Sequence, residues 1–99
     1  MVVTVFRSRM RPGVEAEMEK LGARMYELAS QMPGFVSYKD YMAEDQEIVT
    51  IVEFETMDAV VAWREHPEHK AAQDRGRNEL FSWYHIQVCE TVRDYDFNA

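Results

Sequence analysis

The sequence predicts an α+β fold of ferredoxin type, with a four-stranded antiparallel sheet in the chain order βαββαβ. Three observations carry this. Apolar or β-branched runs suited to strands occur at 2–10, 35–42, 48–54 and 81–92; a five-turn amphipathic stripe separates the first from the second; and a capped, proline-interrupted helical stretch separates the third from the fourth. Right-handed crossovers for the two helix-bridged pairs put both helices on one face and make the first and third strands central.

The opening strand begins Val2-Val3-Thr4-Val5-Phe6, dense in β-branched residues, and runs to about Met10 before Arg11-Pro12-Gly13 breaks it. Val14, Met18, Leu21, Met25, Leu28 and Met32 then recur at alternating steps of four and three, laying one apolar stripe along a helix. Glu15, Glu17 and Glu19 stand near its start, where the helix dipole favours anions, and Pro33-Gly34 ends it. Phe35 to Met42 reads as the second strand, and Ala43-Glu44-Asp45-Gln46 is a polar connection of hairpin length. The third strand, Ile48 to Phe54, is apolar on both faces: Ile48, Val52 and Phe54 on one, Val49 and Ile51 on the other. Such a strand belongs to a sheet covered twice. Thr56 is a candidate N-cap, with Asp58 in the first turn, for a helix through Trp63 that Pro67 interrupts and restarts. The restarted piece carries Ala71 and Ala72 and weakens at Gly76. Phe81 to Val92 is the last strand, and Arg93 to Ala99 is a polar, aromatic-tinged tail without a period.

At 99 residues the chain is expected to be one domain, 1–99, without repeat or linker. Hydrophobic residues at 46% exclude a disordered tail. No run of about 18 apolar residues is present to span a bilayer, and residues 1–10 lack the apolar block and cleavage site of a signal peptide, so a cytoplasmic location is expected. A net charge of -7 repels phosphate backbones, which argues against nucleic acid as a partner. Arg7, Arg9 and Arg11 share one side of a strand and are expected as a solvated rim or as ion-pair partners. Cys89 is alone, offering neither a disulfide nor a thiolate zinc cage, and in the alternation of a strand it reads as a small hydrophobe.

One layer of helices covers one side of the sheet. The opposite face, bearing Val3, Val5, Val49 and Ile51, is left as an exposed apolar patch. A two-fold axis lets the same patch on a second copy cover it, so a homodimer packed sheet to sheet is expected.

Chemistry concentrates in Trp63-Arg64-Glu65-His66-Pro67-Glu68-His69-Lys70-Ala71-Ala72, where an indole and two imidazoles fall within seven residues around a helix break. Such groups suit the gripping of a small planar molecule. Trp63, Phe6, Trp83 and Tyr84 are candidates for flat apolar walls, and His66 and His69 for a base poised near neutrality, ahead of His85. The bland alternatives are a core indole and capping or surface histidines. His66 and His69, three apart with Glu65, Glu68 and Asp74 nearby, have a spacing permissive for metal, but no remote third ligand is evident and no metal site is expected. The methionines at 10, 18, 25, 32, 42 and 57 read as an adaptable lining able to bound a pocket. No glycine-rich phosphate loop, nucleophile elbow or dinucleotide fingerprint is present, so no resident cofactor is expected.

Four stretches also occur in a telling order: Arg11-Pro12-Gly13 after the opening strand, Met32-Pro33-Gly34-Phe35 between first helix and second strand, Ile51-Val52-Glu53-Phe54-Glu55 before Ala62-Trp63, and His66 with His69-Lys70-Ala71-Ala72 after it. Across nearly its whole length the chain thereby resembles the antibiotic biosynthesis monooxygenase family of dimeric α+β barrel proteins. That family includes cofactor-independent oxygenases of polyketide quinols, haem-degrading enzymes, enzymes handling small signalling molecules, and members of unknown activity. In its haem-degrading branch a Trp, a His ten residues later and an Asn on the first strand form the site. Here Trp63 stands in the place of that Trp, Gln73 in that of the His, and Phe6 about where the Asn falls, so haem ligation of that kind is not implied. The aromatic-oxidising branch is similar through Trp63, with Ala59 at the position of its Asn.

The resemblance implies a cofactor-independent monooxygenase acting on a small aromatic or quinol-like molecule; for it the residues themselves offer His66 and His69 as catalytic candidates and Trp63, Phe6, Gln73, Trp83, Tyr84 and His85 as substrate-binding ones. Two alternatives use the same pocket: a non-catalytic small-molecule-binding or stress-associated protein, and an isomerase or degrading enzyme with a histidine as proton shuttle.

Overall fold

A computed structural model describes residues 1–99. Strands β1 (Val2–Met10), β2 (Phe35–Met42), β3 (Ile48–Phe54) and β4 (Phe81–Glu90) form one antiparallel sheet in the order β2-β3-β1-β4. The two most apolar strands, β1 and β3, are therefore central, as the crossover rule requires. Helices α1 (Glu15–Ser30), α2 (Met57–Glu65) and α3 (Pro67–Arg75) cover one face, and a π-helical turn, Gly76–Leu80, joins α3 to β4.

The stripe of α1 packs as its period predicts: Met25 and Ala29 are buried, with Leu21, Leu28 and Met32 against them. Together with Val2, Val52, Phe54, Val60 and Trp63 they make the core. Phe54 is almost wholly enclosed, and burying such a side chain contributes about 1.5–3 kcal/mol. Thr56 caps α2 by accepting from the Ala59 amide at 3.1 Å. After α1 the chain turns at Gly34, whose φ of 82° is open to glycine; a Cβ there would also approach Ala59 Cβ to 3.0 Å.

Two expectations shift. The last strand ends at Glu90, not Val92. Residues 91–99 form no strand or helix, and Val92, Tyr95 and Phe97 are exposed. Gly76 does not simply weaken α3: the chain continues into a wider turn that seats Leu80 out of solvent.

The strand arginines are ion-pair partners. Arg7 holds Glu47 with two hydrogen bonds of 2.9 Å, and Arg9 reaches Asp45 at 2.7 Å, so β1 pins the β2–β3 connection. Arg11 donates instead to backbone, to the Phe81 carbonyl at 3.0 Å and the Arg77 carbonyl at 3.0 Å.

Candidate functional site

Between the helices and the sheet lies a cavity of about 590 Å³. Its existence follows from the residues at its floor. On the helix-facing side of the central strands, where a packed core would carry large aliphatic groups, the chain has Thr4 and Ser8 on β1 and Thr50 on β3. Short hydroxyl side chains there leave volume unfilled while Met10, Met18, Met25, Val52 and Phe81 bound it with apolar surface.

One wall is built at the α2–α3 break. Pro67 occupies the first turn of α3, and His66 leaves the helical region between the two helices (φ −58°, ψ 128°). The redirected chain brings His69 back over Trp63. Their rings stack with centroids 4.0 Å apart and planes 14° from parallel. Trp63 itself is 6% exposed. His69 Nδ1 lies 3.0 Å from the Trp63 carbonyl oxygen. A carbonyl only accepts, so Nδ1 carries the proton and Nε2 is left with the lone pair. Burial pushes the His69 pKa down, opposed by that hydrogen bond and aided by the His66 charge. The ring is therefore a neutral base facing an apolar cavity.

His66 does different work. Its Nδ1 accepts from the Glu68 amide at 3.1 Å and caps α3. It does not line the cavity, whereas His69 does. The two histidines find no third partner, and no group of three or more His, Cys, Asp or Glu side chains is placed to hold a metal.

The other predicted positions divide by strand parity. Phe6 lines the cavity and meets Phe81 and Tyr84 edge-on at 5.3 and 5.6 Å. Gln73 also lines it, donating to the Arg64 carbonyl at 3.3 Å. Trp83 and His85 do not. They pair with Arg9 and Arg7 across the sheet, and Arg7 sits 5.5 Å over the Trp83 ring, on the face away from the helices. Of Trp83, Tyr84 and His85, only Tyr84 lines this cavity, because neighbours along a strand point to opposite sides.

Several lining residues were not anticipated. Thr50 Oγ1 donates to Asp40 Oδ1 at 2.5 Å, and burial, with Asp40 second, pushes the Tyr38 phenol up to about 12. Asp40 alternates with Tyr38 and Met42 on β2, a carboxylate on the covered face, and that was the legible signal. Arg77 enters from the π-helical turn beside Tyr84. Gly76 permits this turn, since a Cβ there would fall 2.7 Å from the Phe81 ring.

A ferredoxin-like α+β domain with a base-bearing cavity beneath its helices is the class of protein this geometry defines. The model of the family described as antibiotic biosynthesis monooxygenase matches residues 1–75, and the chain belongs to that family. It is 34% identical over 70 residues to the uncharacterised protein YqjZ of Bacillus subtilis; the match takes in 71% of this chain and 61% of YqjZ, so the chain spans about three fifths of that relative's length. Rv0793 from Mycobacterium tuberculosis has the same fold, with a TM-score of 0.86 at 20% identity over 96% of this chain and 98% of that one. SnoaB, a cofactor-independent oxygenase from Streptomyces nogalater, is similar with a TM-score of 0.80 at 22% identity over 94% of both chains. No helix is long and apolar enough to cross a membrane.

Proposed function

We propose that this protein is a cofactor-independent monooxygenase of small phenolic or quinol-type molecules, with His69 as its base and Trp63, Phe6, Gln73 and Tyr84 as binding surface. The observation that carries it is that His69 lines the cavity with Nδ1 3.0 Å from the Trp63 carbonyl oxygen, an arrangement that leaves the lone pair on Nε2. A phenol needs little more from the protein. Once Nε2 removes its proton, the electron-rich phenolate gives one electron to dioxygen, and the radical pair recombines as a ring hydroperoxide. Loss of the ring C–H proton and cleavage of the O–O bond leave a quinone and water, so phenol plus dioxygen balances quinone plus water without an external reductant. Positioning and general base catalysis are the protein's share, the latter worth typically 10²–10⁴-fold.

The test is oxygen uptake with a panel of hydroquinones and phenols, with labelled dioxygen to follow the transferred atom. Uptake by the wild type that falls to background in His69→Gln and Trp63→Ala supports the reading; uptake no greater than in those variants overturns it. The same tautomer favours a second reading, a proton-shuttling isomerase, which turns substrate over equally well under nitrogen.

The sheet face opposite the helices supports a homodimer. Val3, Val5, Val49 and Ile51 are only half-covered there in the single chain, and a sheet-to-sheet two-fold packing buries them.

A further inference from the structure

Resting on the cavity and base proposed above, we infer that Arg77 is an anion post in the cavity wall and that the ligand is an ionisable phenol held there as its phenolate. Removing a proton from a ligand in an apolar cavity creates an anion, which needs a donor that costs no rearrangement. Arg77 and Arg64 are the arginines that line the cavity. The Arg77 backbone is held from the first loop. The Arg11 guanidinium donates to the Arg77 carbonyl at 3.0 Å and to the Phe81 carbonyl at 3.0 Å, while the Arg11 amide donates to the Leu80 carbonyl at 2.8 Å, clamping the π-helical turn on both sides. Gly76 closes the clamp by letting the Phe81 ring lie against the backbone.

The guanidinium already has a phenol beside it, the Tyr84 hydroxyl, and that neighbour and Asp74 both raise its pKa. Asp74 is engaged through Nη2, and a planar fork of five N–H donors leaves others for a ligand oxygen. The remaining charges around the void work against ionisation. Glu15 and Glu19 project from α1 and Asp40 from β2, whereas His69 on α3 is neutral and Arg64 on α2 pairs with Glu65 at 3.5 Å, as Arg77 pairs with Asp74. On the turn itself Arg75 and Glu79 pair with each other, and Arg75 with Glu17. These three carboxylates are solvent-exposed, so they disfavour ionisation of a bound phenol without forbidding it, and Arg77 is the cation that offsets them. Arg77 and Tyr84 lie beyond residues 1–75, so the family match does not carry this assignment.

The probe is 4-nitrophenol, whose phenolate absorbs separately from the phenol, titrated in complex with the protein. Arg77→Met is expected to raise the pKa of the bound probe by about one unit, a tenfold loss of ionisation. Arg77→Lys restores part of it, and Asp74→Asn shifts the bound pKa the opposite way. Equal values in wild type and Arg77→Met, a larger effect from Arg64→Met, or no lowering in the surface variant Asp74→Asn overturns the assignment. Asp74→Asn also decides the matter if Arg77→Met does not fold. A probe that fails to bind the wild type, or binds equally well when Ser8→Leu fills the floor, overturns the cavity reading itself, and this inference with it.

Discussion

The imidazole of His69 lies flat on the indole of Trp63, 4.0 Å between centroids, while its Nδ1 is tied to the carbonyl of the same tryptophan. One residue thus sets both the plane and the tautomer of the other. Stacking holds the ring against rotation, and the hydrogen bond leaves a single basic atom available.

This pairing predicts a pH dependence of definite sign. Burial lowers the His69 pKa below the ordinary 6.5, so the folded chain binds its proton later than the unfolded chain as pH falls. Stability attributable to this group is complete above 6.5 and is lost as pH drops through the lowered folded value. Denaturant midpoints measured from pH 8 to pH 5 should fall on the acid side in wild type and flatten in His69→Gln. The acid limb of activity should have its midpoint below 6.5.

The two tryptophans occupy opposite faces of the sheet and should report differently. A bound aromatic ligand should quench Trp63 fluorescence in Trp83→Phe to the same extent as in wild type. Trp63→Ala should abolish the response and, by opening a void beside Val60 and Met25, cost about 3–5 kcal/mol in urea unfolding. Quenching that requires Trp83 would place the ligand on the wrong face.

Ser8 is buried at the floor of the cavity, so Ser8→Leu should trade binding for packing. Affinity for aromatic ligands, measured by calorimetry, should drop at least about tenfold, equivalent to about 1.4 kcal/mol. Thermal stability should hold or rise by up to about 1 kcal/mol, since the added methylenes enter existing space.

Val5 sits on β1 between Ile51 of β3 and Gln87 of β4, on the face without helices. If the proposed homodimer forms, Val5→Glu should convert it to a monomer in sedimentation velocity at micromolar concentration without changing the far-ultraviolet circular dichroism. A wild type that sediments as a single chain would exclude the sheet-to-sheet pairing.

Element order, the centrality of β1 and β3, the buried stripe of α1 and the Thr56 cap were all legible in the sequence, because each depends on periodicity or on residues a few positions apart. So was the nearness of Trp63 to His66 and His69, since Pro67 forces a helix break beside the indole. The role of His66 was only half legible: a histidine preceding a helix that starts with proline is either a base or a cap, and only the 3.1 Å bond from the Glu68 amide decides for the cap.

What the sequence by itself determined is therefore the strand–helix alternation and the stretch that gathers an indole and two imidazoles at a helix break. Tertiary structure alone decided which residues share the cavity. The reason lies in β4, where the register slips between Arg9 and Met10 of its partner strand. That irregularity puts Phe81 on the same side as Tyr84, three residues on, whereas Trp83 and His85 lie opposite Tyr84 by plain alternation. Alternation by two cannot be followed across a bulge, because the side-chain parity of everything beyond it depends on pairing with a strand some seventy residues away. Arg77 shares that origin, since its approach to the cavity is set by a clamp from Arg11 on the first loop and not by any local pattern.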